Sequence, residues 1–391
     1  MRILLFSPKG SGEHYYGPGM NAYRMYKNIA PSSDVSLTLV HGYREQKRYQ
    51  IFDDQFFISD IVNKNLYLGV RFLYLAKKWV QSNIHHYDIV HCLTAFHHSF
   101  MFSYWSEQHG VPAVIKIGQS SYTGFSENSL ASRVLGLNRF RVNHANDITG
   151  YVSISKTIKK NLMAAGIEER RIYSIPNGVD TNRFSPVDEQ QKQRIRARLG
   201  LENKFTVIFT GAFDDRKNPL LIAKAFSGFK ERDDIQLLLI GPDLDEGEQR
   251  AGIQNLIREQ GIKNIILKDF VEEIAPYYKA SDLFVLPSKE EGFSNSMLEA
   301  QATGLPALVT KISGAVELID EEKNGTFIGS NESSIYEAIR SYAESDRKLE
   351  KQSRHARNII VEKYSTSQVL ERYLGLFSSI KNQKENISSR H

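Results

Sequence analysis

The sequence holds two glutamates, Glu291 and Glu299, that are separated by seven residues and follow a short apolar run, Leu283–Leu286. That run predicts a buried strand, and Gly292 would let the chain turn sharply into a helix that begins near Ser294. The carboxyl ends of parallel strands are where open α/β sheets bind ligands. The free backbone N–H groups at the start of the helix would form a seat for a pyrophosphate. These groups belong to Phe293, Ser294 and Asn295.

The two carboxylates have two interpretations. Glu291 precedes the predicted helix, where its carboxylate could meet a sugar, and Glu299 lies about one turn into the helix, within reach of a ribose diol. The same spacing also occurs in an ordinary capped helix with two surface acids. Two glutamates at this spacing are therefore weak evidence of function when they are taken alone.

Short apolar runs alternate with helical patterns along the chain, and this alternation predicts doubly wound parallel sheets. The runs are nearly continuous in Val, Ile and Leu, as expected of strands that are buried on both faces. In the first half, the predicted strands are Ile3–Phe6, Val35–Val40, Asp88–Cys92, Ala113–Ile117, Ile148–Ile154 and Arg171–Ile175. In the second half, they are Phe205–Thr210, Ile235–Ile240, Asn264–Leu267, Leu283–Leu286, Ala307–Thr310 and Thr326–Ile328. Predicted helices include Met20–Asn28, Ser155–Ala165 with Ser155 as N-cap, and Pro219–Lys230 with Pro219 in the first turn.

A domain boundary is predicted shortly after Ile175–Asp180. Pro176 and the pair Asn177-Gly178 interrupt the chain there, and a polar, charged connector begins at Ser185. We therefore predict an N-terminal domain over 1–184 and a C-terminal domain over 185–365. Residues 366–391 would form a last helix, to about Lys381, and a polar tail.

Length and composition place the chain in the globular class. Its 391 residues suit two α/β domains rather than one core. The first apolar run is too short for the core of a signal peptide, and none is long enough to span a bilayer. Cys92 is the only cysteine, so an intrachain disulfide is excluded and a reducing compartment fits. Together these features predict a cytoplasmic protein.

Two stretches, Ile61–Tyr87 and Leu130–Asn146, contain no acidic residue. In the first, the basic residues Arg71 and Lys78 alternate with aromatic ones such as Tyr74. Such stretches could rest on the anionic inner face of a membrane or hold an acidic acceptor. The other interpretation is an ordinary helix with one core face and one solvated basic face. No nucleic-acid partner is expected.

Four landmarks occur in a fixed order, and together they resemble the family-four retaining glycosyltransferases. The motif E-G-F-x5-E of that family matches Glu291–Glu299, and its hinge signature resembles Ile175–Phe184. Its phosphate loop resembles Phe209-Thr210-Gly211 followed by Arg216-Lys217-Asn218, and the segment after the glutamate helix resembles Pro306–Glu317. The resemblance implies the GT-B fold, which has two Rossmann-like doubly wound parallel-sheet domains that face each other across a cleft. It also implies a C-terminal helix that crosses back to the first domain.

The resemblance assigns roles to individual residues. Lys217 would neutralise the leaving nucleoside diphosphate, and Gly211 would let the backbone approach the phosphates. Glu299 would hold the ribose, while Glu291 would hold sugar hydroxyls and steady an oxocarbenium-like centre. Contacts to the base would come largely from backbone near Phe270 and Val271. A nucleoside diphosphate sugar would be a co-substrate, and no other cofactor is expected.

The chain departs from the family pattern at several positions. Ala212 stands where members often have an arginine, and Arg216 is a candidate to replace it. In the first domain, the family's glycine pair is matched by Gly17-Pro18-Gly19, with Gly19 as the better match at the opening of a helix. The resemblance gives His91 a contact with the transferred sugar, although Leu93 stands where many members have a second histidine. His97 and His98 are alternatives, and a purely structural role of His91 remains open.

A metal site is not expected. Asp243-Leu244-Asp245 is an Asp-x-Asp triplet, a pattern that binds divalent ions in other transferases, but it is remote in sequence from the glutamate motif, and enzymes of the resembled fold typically need no metal. Lys217 and the helix start could stabilise the diphosphate instead. The acceptor would be a glycan or lipid-linked glycan in bacterial surface polysaccharide assembly. The alternatives are an epimerase or phosphorylase of the same fold, a non-catalytic nucleotide-sugar-binding protein, and, more weakly, a nicotinamide or flavin enzyme.

Overall fold

The computed structural model describes residues 1–12, 17–29, 33–60, 66–118, 136–244 and 247–388. The chain divides into two compact units. Met1–Gly178 and Thr366–His391 form the first unit, and Val179–Ser365 forms the second. The boundary between the units follows Gly178, whereas the sequence placed it after residue 184. The last helix belongs to the first unit.

Each unit is built on one parallel sheet. Within the described residues, the first sheet has seven strands in the order β3-β2-β1-β4-β5-β6-β7. They are β1 Arg2–Ser7, β2 Ser36–His41, β3 Asp54–Phe57, β4 Ile89–Cys92, β5 Ala113–Ile117, β6 Gly150–Ser153 and β7 Ile172–Ser174. The described part of the second sheet has six strands in the order β10-β9-β8-β11-β12-β13. They are β8 Phe205–Thr210, β9 Ile235–Ile240, β10 Ile265–Lys268, β11 Leu283–Leu286, β12 Ala307–Thr310 and β13 Gly325–Ile328.

Helices connect the strands. The first unit contains α1 Pro18–Tyr26, α2 Leu66–Asn83, α3 His97–Gln108, α4 Leu137–His144 and α5 Lys156–Ala164. The second contains α6 Glu189–Leu199, α7 Pro219–Phe226, α8 Glu248–Gln260, α9 Ala275–Lys279, α10 Asn295–Ala302, α11 Ala315–Leu318, α12 Glu332–Ala343 and α13 Asp346–Lys363. The final helix, α14 Thr366–Ser388, returns to the first unit. No helix in the described ranges is long and apolar enough to cross a bilayer.

Helix ends follow the predicted signals. Ser155 caps α5, and its hydroxyl accepts a hydrogen bond from the N–H of Ile158 at 3.3 Å. Pro219 begins α7, where the lack of an N–H has no cost. The helix α14 contributes Leu370, Tyr373 and Phe377 to the apolar core that covers the first sheet. Burial of these large side chains, rather than helix propensity, holds α14 in place.

The structure corrects three details of the sequence prediction. The short edge strand β3 was not among the predicted strands, because its sequence Asp-Gln-Phe-Phe gives little apolar signal. The first helix begins at Pro18, so Gly19 lies inside it rather than ahead of it. A Cβ at Gly19 would lie 2.3 Å from the carbonyl oxygen of Gly10, which explains the need for glycine. Several strand ends differ by one or two residues. The helix α7 ends at Phe226 rather than Lys230, and α14 continues to Ser388, seven residues beyond the predicted end at Lys381.

Candidate functional site

The predicted phosphate loop and glutamate motif lie at the carboxyl ends of two neighbouring strands of the second unit. The strands β8 and β11 pair in parallel, so the segments that follow Thr210 and Leu286 emerge side by side. A backbone hydrogen bond of 2.8 Å from the N–H of Lys289 to the carbonyl of Arg216 ties these segments together. The topology therefore brings the phosphate loop and the glutamate motif to one edge of the sheet.

Two glycines set the position of the phosphate loop. A Cβ at Gly241, after β9, would lie 1.7 Å from the carbonyl oxygen of Gly211, so the two backbones touch. The N–H of Gly211 also donates to the carbonyl of Ile240 at 3.1 Å. The aliphatic stem of Lys217 passes 3.6 Å from where a Cβ of Gly211 would stand. That distance is an ordinary van der Waals contact, so the path of Lys217 does not by itself require a glycine at position 211.

The carboxylate of Glu291 is held by two cations. Its Oε1 forms an ion pair with Nζ of Lys217 and accepts a hydrogen bond of 3.1 Å from the guanidinium of Arg216. The side chains of Glu291 and Lys217 are only 10% and 11% exposed, whereas that of Arg216 is 38% exposed. The site therefore contains two positive charges in a partly buried environment. An anion bound there would interact with them more strongly than in bulk water.

Asp214 shapes the turn that carries both cations. Its Oδ1 accepts the N–H of Lys217 at 2.7 Å, and its carbonyl accepts the N–H of Asn218 at 2.9 Å. Asn218 adopts a left-handed conformation with φ 54°, and α7 begins directly afterwards at Pro219. The turn points Lys217 toward Glu291 before the helix starts.

The helix α10 begins where the sequence predicted. Ser294 is its N-cap, and the Ser294 hydroxyl accepts the N–H of Met297 at 3.4 Å. Phe293 is buried with its ring against Tyr364, and Asn295 is half-buried at the first helical position. A Cβ at Gly314, which has φ 75°, would lie 2.5 Å from the carbonyl oxygen of Gly292, so the turn before the helix is packed tightly.

Glu299 lies in the second half of α10 and is half-buried. Its Oε2 lies 3.4 Å from the hydroxyl of Tyr278, a fully buried residue of α9 that the sequence analysis did not single out. A buried tyrosine hydroxyl usually has a hydrogen-bond partner. A tyrosine within an otherwise buried segment could therefore have indicated a polar contact near Tyr278. Val271 is half-buried, while the neighbouring Phe270 is 72% exposed.

The structure places His91 in the interior of the first unit. It lies on β4 and shares a hydrogen bond of 2.7 Å with the hydroxyl of Tyr26, and the rings of Tyr373 and Phe377 pack against it. Burial, and to a lesser extent the charge of Lys116, lowers the pKa of His91 to about 3, so the imidazole is neutral at pH 7. This geometry favours the structural interpretation, and a contact with a sugar stays a prediction.

The alternative histidines lie at the start of α3. Nδ1 of His97 accepts a hydrogen bond of 3.2 Å from Arg141, and the ring of His98 packs edge-on against Phe72. Arg141, which belongs to the acid-free stretch Leu130–Asn146, is itself buried. Residues 119–135, between β5 and α4, lie outside the described residues.

The acidic triplet after β9 forms an ordinary ion pair. Asp243 accepts hydrogen bonds of 2.8 and 2.9 Å from Nε of Arg250, and Asp245 lies outside the described residues. Within the described ranges, no group of three or more His, Cys, Asp or Glu side chains is arranged to hold a metal ion.

Two family models match consecutive parts of the chain. The model for Glycosyltransferase Family 4 matches residues 34–183, and the model for Glycosyl transferases group 1 matches residues 191–359. The matched ranges contain the second sheet, the Glu291 site and all strands of the first sheet except β1. The chain belongs to the family-four glycosyltransferases. The predicted GT-B fold is confirmed by solved structures of this architecture, such as that of HepE from Anabaena in complex with UDP, with a TM-score of 0.79 over 97% of this chain and 100% of that chain at 19% identity.

Other proteins are similar to this chain in structure or in part of their sequence. WaaG, a glycosyltransferase involved in lipopolysaccharide biosynthesis, aligns with a TM-score of 0.73 over 96% of this chain and 99% of that chain at 15% identity. Mannosylfructose-phosphate synthase of Agrobacterium fabrum is 34% identical over 41% of this chain and 37% of its own length. The UDP-Gal:alpha-D-GlcNAc-diphosphoundecaprenol alpha-1,3-galactosyltransferase of Escherichia coli is 31% identical over 54% of this chain and 55% of its own length. The chain thus spans about half the length of such relatives, or less.

Proposed function

We propose that this family-four protein is a retaining glycosyltransferase that moves a sugar from a nucleoside diphosphate sugar to a glycan or lipid-linked acceptor. The observation that carries the proposal is the Glu291 carboxylate, which is bound by Lys217 and Arg216 at the carboxyl end of the sheet. The first turn of α10 stands directly after this carboxylate. The two cations and the start of the helix would bind a diphosphate, and the carboxylate would accept hydrogen bonds from sugar hydroxyls.

The ion pairs of the site suggest how a donor would bind and react. Lys217 and Arg216 are compensated by Glu291 and Asp214 when no donor is bound. A diphosphate would compete for the two cations and release the Glu291 carboxylate toward the sugar hydroxyls. As the bond from the anomeric carbon to the diphosphate oxygen breaks, negative charge grows on the leaving group, where both cations stabilise it. The acceptor hydroxyl attacks the anomeric carbon from the face that the diphosphate leaves and passes its proton to the departing diphosphate oxygen, so configuration is retained.

Arg216 fills the role that Ala212 leaves vacant in this proposal. Its guanidinium reaches the same Oε1 of Glu291 as Lys217 does, from the neighbouring position in the chain. With two cations supplied by one turn, transfer would need no metal ion to neutralise the diphosphate.

The relatives support the choice of donor and acceptor. The galactosyltransferase of Escherichia coli is named for a UDP-sugar donor and a diphosphoundecaprenol-linked acceptor. HepE has been solved in complex with UDP and glucose. WaaG is named for lipopolysaccharide biosynthesis. We therefore extend the proposal to bacterial surface polysaccharide assembly, at the cytoplasmic side of the membrane.

The helix α2 supports a contact with the membrane surface as part of the same proposal. Its 18 residues include no acid. Arg71, Lys77 and Lys78 are exposed beside Tyr74, which is 57% exposed. Nζ of Lys78 lies 4.7 Å from the centre of the Tyr74 ring. Basic side chains with an aromatic residue between them suit an anionic lipid surface.

The test is release of nucleoside diphosphate from a panel of UDP-, GDP- and ADP-sugars by the intact protein. We expect slow hydrolysis of one donor, with loss of activity in Glu291→Ala and in Lys217→Ala. The matched controls are Glu290→Ala, an exposed neighbouring acid, and Lys224→Ala, an exposed lysine of α7. Both controls should behave like the wild type.

Three results would count against this function. A panel that gives neither release nor a ligand-induced melting shift would remove the nucleotide-sugar assignment. Release that persists in both site variants would place the chemistry elsewhere. A melting shift with one donor but no transfer to any acceptor would favour the non-catalytic binding protein. With an acceptor in hand, NMR of the product's anomeric proton reports retention directly.

A further inference from the structure

A basic groove of about 520 Å³ lies on the second unit between α6 and α9, and the transfer reaction proposed above does not use it. Its apolar lining comes from Val187, Ile195, Ala275 and Pro276. Arg194 and Arg198 of α6 line one side, and Lys279 at the end of α9 lines the other. The groove thus combines an apolar floor with cations at its edge.

The helix α6 carries two kinds of cation. Lys192 and Arg196 point into the unit, where both form ion pairs with Asp282, and Arg196 is nearly fully buried. Arg194 and Arg198 are one turn apart on the groove side and are exposed. The inner pair has a structural partner, so the fold of the unit explains it. It does not explain the outer pair.

The acid among the described lining residues is already bound. Glu273 accepts hydrogen bonds of 3.3 and 3.0 Å from Nε and a terminal nitrogen of Arg183. In the part of the chain that the structure describes, Arg194, Arg198 and Lys279 have no acidic partner. Like charges one turn apart on a helix repel each other, and Lys279 adds to that repulsion across the groove. A bound anion would remove it.

We propose that this groove binds the phosphate group of an organic phosphate, with Arg194, Arg198 and Lys279 as its ligands. Guanidinium groups donate paired hydrogen bonds to the several oxygens of a phosphate, and three cations match its double charge better than the single charge of a carboxylate. The apolar floor takes the carbon part of the ligand. The ligand is either a small soluble phosphate or the head group of a phospholipid.

Calorimetric titration of the whole protein at low salt tests the site with two soluble probes. Inorganic pyrophosphate represents the free phosphate, and dihexanoylphosphatidic acid, below its micellar concentration, represents the lipid head group. Dihexanoylphosphatidylcholine is the zwitterionic control. Because pyrophosphate can also enter the Glu291 site, each titration is repeated with Lys217→Ala, in which groove binding should persist.

The groove variant is Arg194→Glu with Arg198→Glu. We expect binding of the preferred probe to weaken at least about tenfold, since two charge-assisted contacts are lost. A control with the same charge change, Lys224→Glu with Lys230→Glu, alters two exposed lysines of the same unit and should bind normally. Tighter binding of dihexanoylphosphatidic acid than of pyrophosphate would identify the ligand as a phospholipid head group. Binding of pyrophosphate that is equal or tighter would identify it as a small soluble phosphate.

Three results would overturn the proposal: absence of binding by both probes, unchanged binding in the groove variant, or equal loss in the control. Donor hydrolysis is measured in the same variants and should be unchanged in the groove variant. Failure of the groove is thereby distinguishable from failure of the transferase assignment.

Discussion

The hydroxyl of Tyr278 lies 3.4 Å from Oε2 of Glu299 and joins α9 to the helix of the glutamate motif. The same hydroxyl bonds the side chain of Thr210, at the end of β8, and the carbonyl of Ser296 at 3.3 Å. Tyr278 is fully buried, so solvent does not compete for these bonds. One side chain therefore fixes the proposed ribose-binding carboxylate relative to the phosphate loop.

Removal of this hydroxyl should weaken nucleotide binding. Tyr278→Phe keeps the ring but lets Glu299 rotate, and loss of one hydrogen bond contributes about 1 kcal/mol, or roughly fivefold in affinity. Titration with the preferred nucleoside diphosphate measures the change. Tyr277→Phe, at the adjacent position, is the control. Equal affinity in wild type and Tyr278→Phe would refute the positioning role.

Arg216 should contribute to donor turnover because Ala212 supplies no charge. Arg216→Ala should lower the rate of diphosphate release by about 10- to 100-fold, the loss of one charge-assisted contact of about 1.5–3 kcal/mol. A second substitution, Ala212→Arg, should restore part of the rate by returning the cation to the family's usual position. A wild-type rate in Arg216→Ala would show that Lys217 acts alone.

Lys116 on β5 should lower the stability of the first unit at neutral pH. It is 8% exposed, and no acidic partner is present in the described ranges. Burial lowers its pKa from 10.5 in the unfolded chain to about 8. The unfolded state therefore binds the proton more tightly, so the penalty is complete below about pH 8 and disappears above pH 10.5.

The substitution Lys116→Met should therefore stabilise the protein. The shift corresponds to about 3 kcal/mol at pH 7, and the gain should shrink as the pH rises from 8 toward 10.5. Urea unfolding at several pH values measures the free energy of unfolding. Lys160→Met, at an exposed lysine of α5, provides the control and should show no such pH dependence. A gain that is independent of pH would mean that packing, not charge, is responsible.

The exposed side of α2 should bind anionic vesicles. Arg71→Glu with Lys78→Glu should weaken sedimentation with phosphatidylglycerol vesicles about tenfold or more, since each basic residue near such a surface contributes about 1 kcal/mol. Phosphatidylcholine vesicles should bind weakly in all cases. Lys156→Glu with Lys160→Glu, on α5, makes the same change of charge elsewhere on the first unit. Equal losses in the two double variants would indicate a general charge effect.

Much of the fold could be predicted because the buried strands are apolar runs. The strand β8 was predicted to the residue, whereas the polar edge strand β3 gave no such signal. The burial of His91 could not be predicted, because a helix that returns to the first domain does not reveal which side chains of the sheet it will cover. The contact between Arg216 and Glu291 could not be predicted either. These residues are 75 positions apart in the sequence, and the pairing of β8 with β11 brings them together.

The contact between Gly241 and Gly211 has a consequence for the origin of this site. Because the backbone after β9 touches the phosphate loop, even a methyl group at position 241 would push the loop out of register. The residue type at position 241 is therefore restricted even without a contact to the substrate. A substitution at position 241 would displace the phosphate loop, although glycine at this position has no side chain that could contact the substrate.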